Sequence, residues 1–146
     1  MKYLALIFLG LVLRSCNDCR NEDCPPDIKL RFEIIDSQSG DNLLTIPGQP
    51  YSFDSLRVVA VRAGGFTDIN VIFRSDEASF PVLTSDSLFI VNYGSTDADT
   101  LVISEKSLIS ATDCCDGVVN GFNVMAQDSL LCTACENETV RIVKQL

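Results

Sequence analysis

The sequence predicts an all-β fold, an antiparallel immunoglobulin-like sandwich of about seven or eight short strands, braced by disulfides. Three observations predict it. From Ile28 onward apolar residues recur with the period of a strand, not of a helix. Turn signals punctuate those runs at short intervals: Ser39-Gly40-Asp41-Asn42, Pro47-Gly48, Gly64-Gly65, Gly94-Ser95 and Asp116-Gly117. No window of eleven residues carries a convincing amphipathic helix.

The elements follow in order. Ile28, Leu30, Phe32 and Ile34 alternate with Lys29, Arg31 and Glu33, the pattern of a strand with one dry and one wet face. Further strands are expected at residues 43–46, 55–63, 69–74, 87–93, 100–104, 118–126 and 139–144. Residues 88–91 and 101–103 are apolar on both faces, which favours two stacked sheets over one; an open barrel is the alternative. Residues 105–112 allow a helical turn or two at most.

Composition sets the outer bounds. The chain has 146 residues, 47% apolar and 21% charged, enough for one domain with its own core. Its net charge is −9, and it becomes more acidic still if Lys2 and Arg14 are removed with a leader. Such a surface repels phosphate backbones, so nucleic acid is not an expected partner. Histidine is absent, which excludes Ser-His-Asp and Cys-His catalysis and every His-containing zinc site. There is no P-loop, dinucleotide fingerprint or nucleophile elbow, and no cofactor is expected.

The N-terminus reads as an address. Met1-Lys2 is a short positive region, followed by an eleven-residue apolar run from Tyr3 to Leu13. A membrane-spanning helix needs about 20 such residues, so the run fits a signal peptide instead. Leu13-Arg14-Ser15-Cys16 then resembles a bacterial lipobox. Leu13, Ser15 and Cys16 match its pattern, whereas Arg14 departs from it; no better cleavage site is present. The resemblance implies that residues 1–15 are removed and that Cys16 is acylated. Residues 16–27 form a polar, acidic tether with cysteines and prolines, and residues 28–146 form the sandwich. Signal, tether and strand pattern together resemble small Bacteroidota-type lipoproteins, which implies an outer-membrane location with attachment through lipid.

Seven cysteines is an odd number, and lipidation of Cys16 leaves six: Cys19, Cys24, Cys114, Cys115, Cys132 and Cys135. In an oxidising compartment these are disulfide candidates. Adjacent Cys114 and Cys115 are poorly placed to bridge each other. They are expected to reach Cys132 and Cys135, while Cys19 and Cys24 close on each other or fasten the tether. An all-thiolate zinc site from the last four cysteines is the alternative, and a redox role for Cys132-Thr133-Ala134-Cys135 is weaker because it lies between strand-like runs.

Two further patterns stand out. Asp54-Ser55-Leu56, Asp86-Ser87-Leu88, Asp99-Thr100-Leu101 and Asp128-Ser129-Leu130 repeat one triplet, against about one expected by chance. Turn chemistry that releases the chain into a strand at Leu is the preferred explanation. The triplet also resembles an O-glycosylation acceptor of exported Bacteroidota proteins, which implies Ser55, Ser87, Thr100 and Ser129 as acceptors. Acidic runs at Asp76-Glu77, Asp97-Ala98-Asp99 and Asp113–Asp116 are expected to be solvated loops, with loop-carboxylate calcium binding as the alternative. The expected role is therefore non-enzymatic: a lipid-anchored envelope domain that engages a protein or glycan through loops or a sheet face. The rival is an envelope metal-binding protein or enzyme.

Overall fold

The computed structural model describes residues 26, 28–95, 97–109, 118–136 and 138–145. Cys16, Cys19, Cys24, Cys114 and Cys115 lie outside them, as do the acidic run at 113–116 and the proposed leader. Ten strands are formed among the described residues: β1 (Lys29–Asp36), β2 (Leu56–Arg62), β3 (Gly65–Ile69), β4 (Ile72–Arg74), β5 (Glu77–Pro81), β6 (Leu88–Tyr93), β7 (Asp97–Ile109), β8 (Val118–Ala126), β9 (Ser129–Cys135) and β10 (Thr139–Lys144). They make two sheets. One has the order β10-β1-β5-β4, the other β3-β2-β6-β7-β8-β9. The fold is an all-β sandwich.

Alternation builds the core. Leu30, Phe32 and Ile34 of β1, Phe80 of β5 and Val140 and Ile142 of β10 point inward from the smaller sheet. Val58 and Ala60, Phe89 and Val91, Leu101 and Ile103, and Phe122 and Val124 meet them from the larger one. Phe80 packs on Phe32 and Phe89 with ring centroids 6.0 and 4.7 Å apart, tying the two sheets through one aromatic column.

Several expectations need correction. The described residues form ten strands rather than seven or eight, because β3, β5 and β9 are short or broken in pattern and carry no clean period. The sandwich is not wholly antiparallel: β1 runs parallel to β10, with Phe32 opposite Val140 and Ile34 opposite Ile142. Residues 43–46 are not a strand. Asn42 caps the backbone N–H of Leu44 and turns Leu43–Thr45 into a 3₁₀ turn that buries both leucines. The stretch 69–74 is two strands in different sheets, with the crossing at Asn70-Val71. Residues 105–109 continue β7 past a bulge at Glu105 (φ 48°), instead of turning helical.

Candidate functional site

At one end of the sandwich the inward rows of β7 and β10 stop being apolar. Ile103 and Leu101 of β7 are followed on the same face by Asp99 and Asp97. Val140 and Ile142 of β10 are followed by Lys144. Strand alternation therefore drives one lysine and two aspartates between the sheets. Lys144 Nζ donates to Asp97 Oδ2 and Asp99 Oδ1, each at 2.9 Å. Asp99 is only 2% exposed, and it is fully engaged: Tyr93 OH donates to Oδ2 at 2.8 Å and Gln127 Nε2 to Oδ1 at 2.9 Å. Asp97 sits at the rim, its side chain 36% exposed, and accepts from Tyr51 OH at 3.0 Å.

The walls of this chamber are aromatic. Lys144 Nζ lies 4.9 Å from the Tyr93 ring centroid and 5.9 Å from that of Tyr51, and the two rings meet edge to face at 5.2 Å. Gln127 reaches Asp99 from the β8–β9 turn, where Gln127 (φ 48°) and Asp128 (φ 63°) both adopt left-handed backbone. That conformation costs non-glycine residues roughly 1 kcal/mol or more each, a local strain held in place by the surrounding contacts.

The charges shape one another. Hydrogen bonding from Lys144 holds the Asp97 carboxyl below the usual carboxylate range. Burial pulls Lys144 down, but the hydrogen bonds and charges of Asp97 and Asp99 more than reverse it, leaving the ammonium above its ordinary value. Burial, then the Asp99 charge, pushes the Tyr93 hydroxyl far above the ordinary tyrosine value. The expectation of solvated loops therefore fails here: Asp97 and Asp99 are strand residues closing a buried ion cluster. The sequence carried a signal for it, since both inward rows run into charge at the same end of the sandwich. At the remaining described acidic run, Glu77 lies in β5 and pairs with Arg31 at 3.9 Å. Among the described residues no three His, Cys, Asp or Glu side chains gather as metal ligands.

The cysteine pairing also differs from expectation. Cys132 and Cys135 are bonded to each other, Cα atoms 5.9 Å apart, which leaves neither sulfur for the expected bridges to Cys114 and Cys115. In a regular strand residues three apart face opposite ways. Here Phe122 and Val124 of β8 pair with Cys135 and Cys132, so β9 carries one extra residue. The bulge centres on Ala134 (φ 51°), whose N–H donates to Asn123 Oδ1 at 2.8 Å. It turns both sulfurs to the inside, 8% and 3% exposed, where they join. Bonded to each other, they offer no thiolates to a zinc ion.

The four repeated triplets do not share one environment. Leu56 and Leu88 do open strands, but Thr100 lies within β7. Asp86 and Asp99 are buried structural anions, whereas Asp54 and Asp128 are exposed. The hydroxyl-bearing residues Ser87, Thr100 and Ser129 are exposed and Ser55 is half-buried.

The outer faces of the two sheets contrast. On the small sheet the outward side chains of Glu33 and Arg141 form an ion pair. On the large sheet an apolar row crosses all six strands. Phe66 lies opposite Val61, Leu88 opposite Val102, Val102 opposite Met125 and Met125 opposite Leu130. The Ala60–Phe89 register sets Val61 beside Leu88 and completes the row. Phe66, Val102 and Leu130 are 75%, 40% and 56% exposed. Five interstrand steps of about 4.8 Å make the row about 24 Å long. Next to it, an open groove of about 810 Å³ is lined by Val59, Ile90 and the Arg57–Asp68 ion pair. The chain matches no protein-family model, no curated protein and no solved structure.

Proposed function

We propose that this is an exported, lipid-anchored lipoprotein of the cell envelope whose sandwich is a non-enzymatic binding domain, and that the outer face of the six-stranded sheet meets a protein partner. One observation carries the binding part: the apolar row from Phe66 to Leu130. Large exposed apolar patches on small domains mark interaction surfaces, whereas singly scattered apolar residues do not. The row is open and long, and it has one aromatic ring, Phe66, among aliphatic side chains. A flat protein surface suits that better than a sugar, which needs stacking rings and converging hydrogen-bond donors. The membrane part rests on the lipobox-like Leu13-Arg14-Ser15-Cys16 and the odd cysteine count. Two or more acyl chains, at ~0.8 kcal/mol per buried CH₂, suffice for stable attachment.

The test uses the full chain in its native host. A photoreactive residue is placed at Val102 or Leu130, and, as a control on the opposite sheet, at Glu33. Cross-linking to one defined protein from the first two positions and not from Glu33 supports the reading. Equal labelling from all three, or adducts to glycan alone, overturns it. Acyl labelling lost in Cys16→Ala checks the anchor separately.

A further inference from the structure

We infer that Lys144 and Asp99 condense to a covalent amide, so that the sandwich is locked by an internal cross-link between its last strand and β7. The geometry points to it on three counts. An amine and a carboxyl group are held at 2.9 Å inside the protein, on strands that belong to different sheets. Holding the two groups together replaces a bimolecular encounter by an intramolecular one, which lowers the entropic barrier to a condensation that is negligible in dilute solution. Water, which drives the reverse reaction, is kept out by Tyr51, Tyr93 and the strands themselves, since Asp99 is 2% exposed and the Lys144 side chain 10% exposed. The carboxyl is also activated. Tyr93 donates to Oδ2, where negative charge grows as the carbon becomes tetrahedral, while Gln127 donates to Oδ1, the oxygen that leaves.

The reaction balances without an outside reagent. One ammonium proton of Lys144 first passes to Oδ1 of Asp99, directly or by way of Asp97, which leaves a neutral amine and a neutral carboxyl; Nζ then bonds to Cγ of Asp99, and the Cγ–Oδ1 bond breaks. Of the three ammonium protons, two depart with Oδ1 as one molecule of water and one stays on the amide nitrogen. Asp97 is the proton carrier: its Oδ2 accepts from Nζ at 2.9 Å and it is open to solvent on its other side. Asp99 is chosen over Asp97 as the electrophile because it is the buried one of the pair and carries the activating Tyr93 contact. Condensation also removes the energetic burden of a buried ion pair, whose desolvation is large. Asp97, at the rim, keeps its charge in water and still accepts from the amide N–H. A single turnover in the lifetime of the molecule suffices.

The experiment is a peptide map of the purified full chain after reduction. Trypsin cuts after Arg74, Lys106, Arg141 and Lys144, which puts Asp97 and Asp99 on one peptide and Lys144 at the end of another. The expected result is a branched species joining peptide 75–106 to the peptide that begins at Ile142. Its mass is one water below the sum of its parts, it is uncut after Lys144, and fragmentation assigns the branch to Asp99. The branch disappears in Asp99→Ala and in Lys144→Arg, and it forms at least tenfold more slowly in Asp97→Ala. Quantitative recovery of the unlinked Ile142–Lys144 peptide from the unaltered folded chain overturns the inference, whether or not the variants fold. A branch at Asp97 overturns the assignment of electrophile and proton carrier.

Discussion

Arg62, the last residue of β2, lays its guanidinium along the carboxylate of Asp86, with Nε 2.7 Å from Oδ1 and Nη2 3.0 Å from Oδ2. The pairing is bidentate and the carboxylate is fully buried. The backbone N–H of Leu83 adds a third donor at 3.2 Å, so one side chain anchors the loop between β5 and β6. Removing the cation strands a buried anion. Arg62→Ala is expected to lower stability by about 3 kcal/mol in urea unfolding, near the lower end for a broken buried pair because the arginine is partly exposed. Arg62→Lys, which keeps the charge but not the fork, should recover only part of that. A change below about 1 kcal/mol in Arg62→Ala would show that the loop is held by something else.

The pairing of the cysteines is checked by cleavage at Met125, which separates Cys114 and Cys115 from Cys132 and Cys135. Fragments on either side of Met125 should fall apart without reductant, because the Cys132–Cys135 bridge is internal to the second. Fragments that part only on reduction would restore the longer-range pairing. In the chain-entropy model a loop this short contributes about 2 kcal/mol, so Cys132→Ala with Cys135→Ala should weaken the fold by about that amount.

In chains whose Lys144 and Asp99 are not joined, alkaline pH should loosen the ion cluster through Tyr93. Its hydroxyl is raised in the folded chain, first by burial and then by Asp99, relative to an unfolded value near 10. An acid held protonated by the fold stabilises fully below its unfolded value and loses that contribution as pH climbs above it. Stability should therefore be level up to about pH 10 and decline beyond, with phenolate absorbance from Tyr93 appearing together with unfolding. Phenolate formation at Tyr93 in the still-folded chain near pH 10 would contradict its burial. Tyr93→Phe, which leaves an oxygen of Asp99 without its donor, should cost about 1–3 kcal/mol at neutral pH.

The outer row is expected to be dispensable for folding. Phe66→Ser and Val102→Ser change exposed positions and should shift stability by no more than about 0.5–1 kcal/mol each. Binding of a hydrophobic dye to the native protein should fall in both. A loss of several kcal/mol would mark the row as structural instead.

Period-two alternation made much of this fold legible: β8 and β10 match the expected strands residue for residue, and β1, β2 and β6 differ only at their ends. The misses have physical causes. Asn42 converts the mostly apolar stretch 43–46 into a capped turn, which a hydrophobic run cannot reveal. The Ala134 bulge breaks the parity that would have separated the two sulfurs, and bulges leave no signature in residue types alone. The ion cluster was hidden differently. Asp97 and Asp99 read as loop acids because charge outweighs the alternation they share with Leu101 and Ile103, and Lys144, at the end of the strand expected at 139–144, gives no sign in its residue type that it turns inward.

The parallel pairing of β1 with β10 has a consequence for how the chain is made. Phe32 and Val140 face each other across 108 positions of sequence, so β1 waits for β10 before that edge is covered. Pairings this distant raise contact order, and β-rich domains of that kind fold in milliseconds to seconds rather than microseconds. A chain entering its folding compartment from the N-terminal side holds an unclosed sheet until β10 arrives. Truncations that stop before Thr139 should thus give protease-sensitive chains with an open edge, prone to association with other strands.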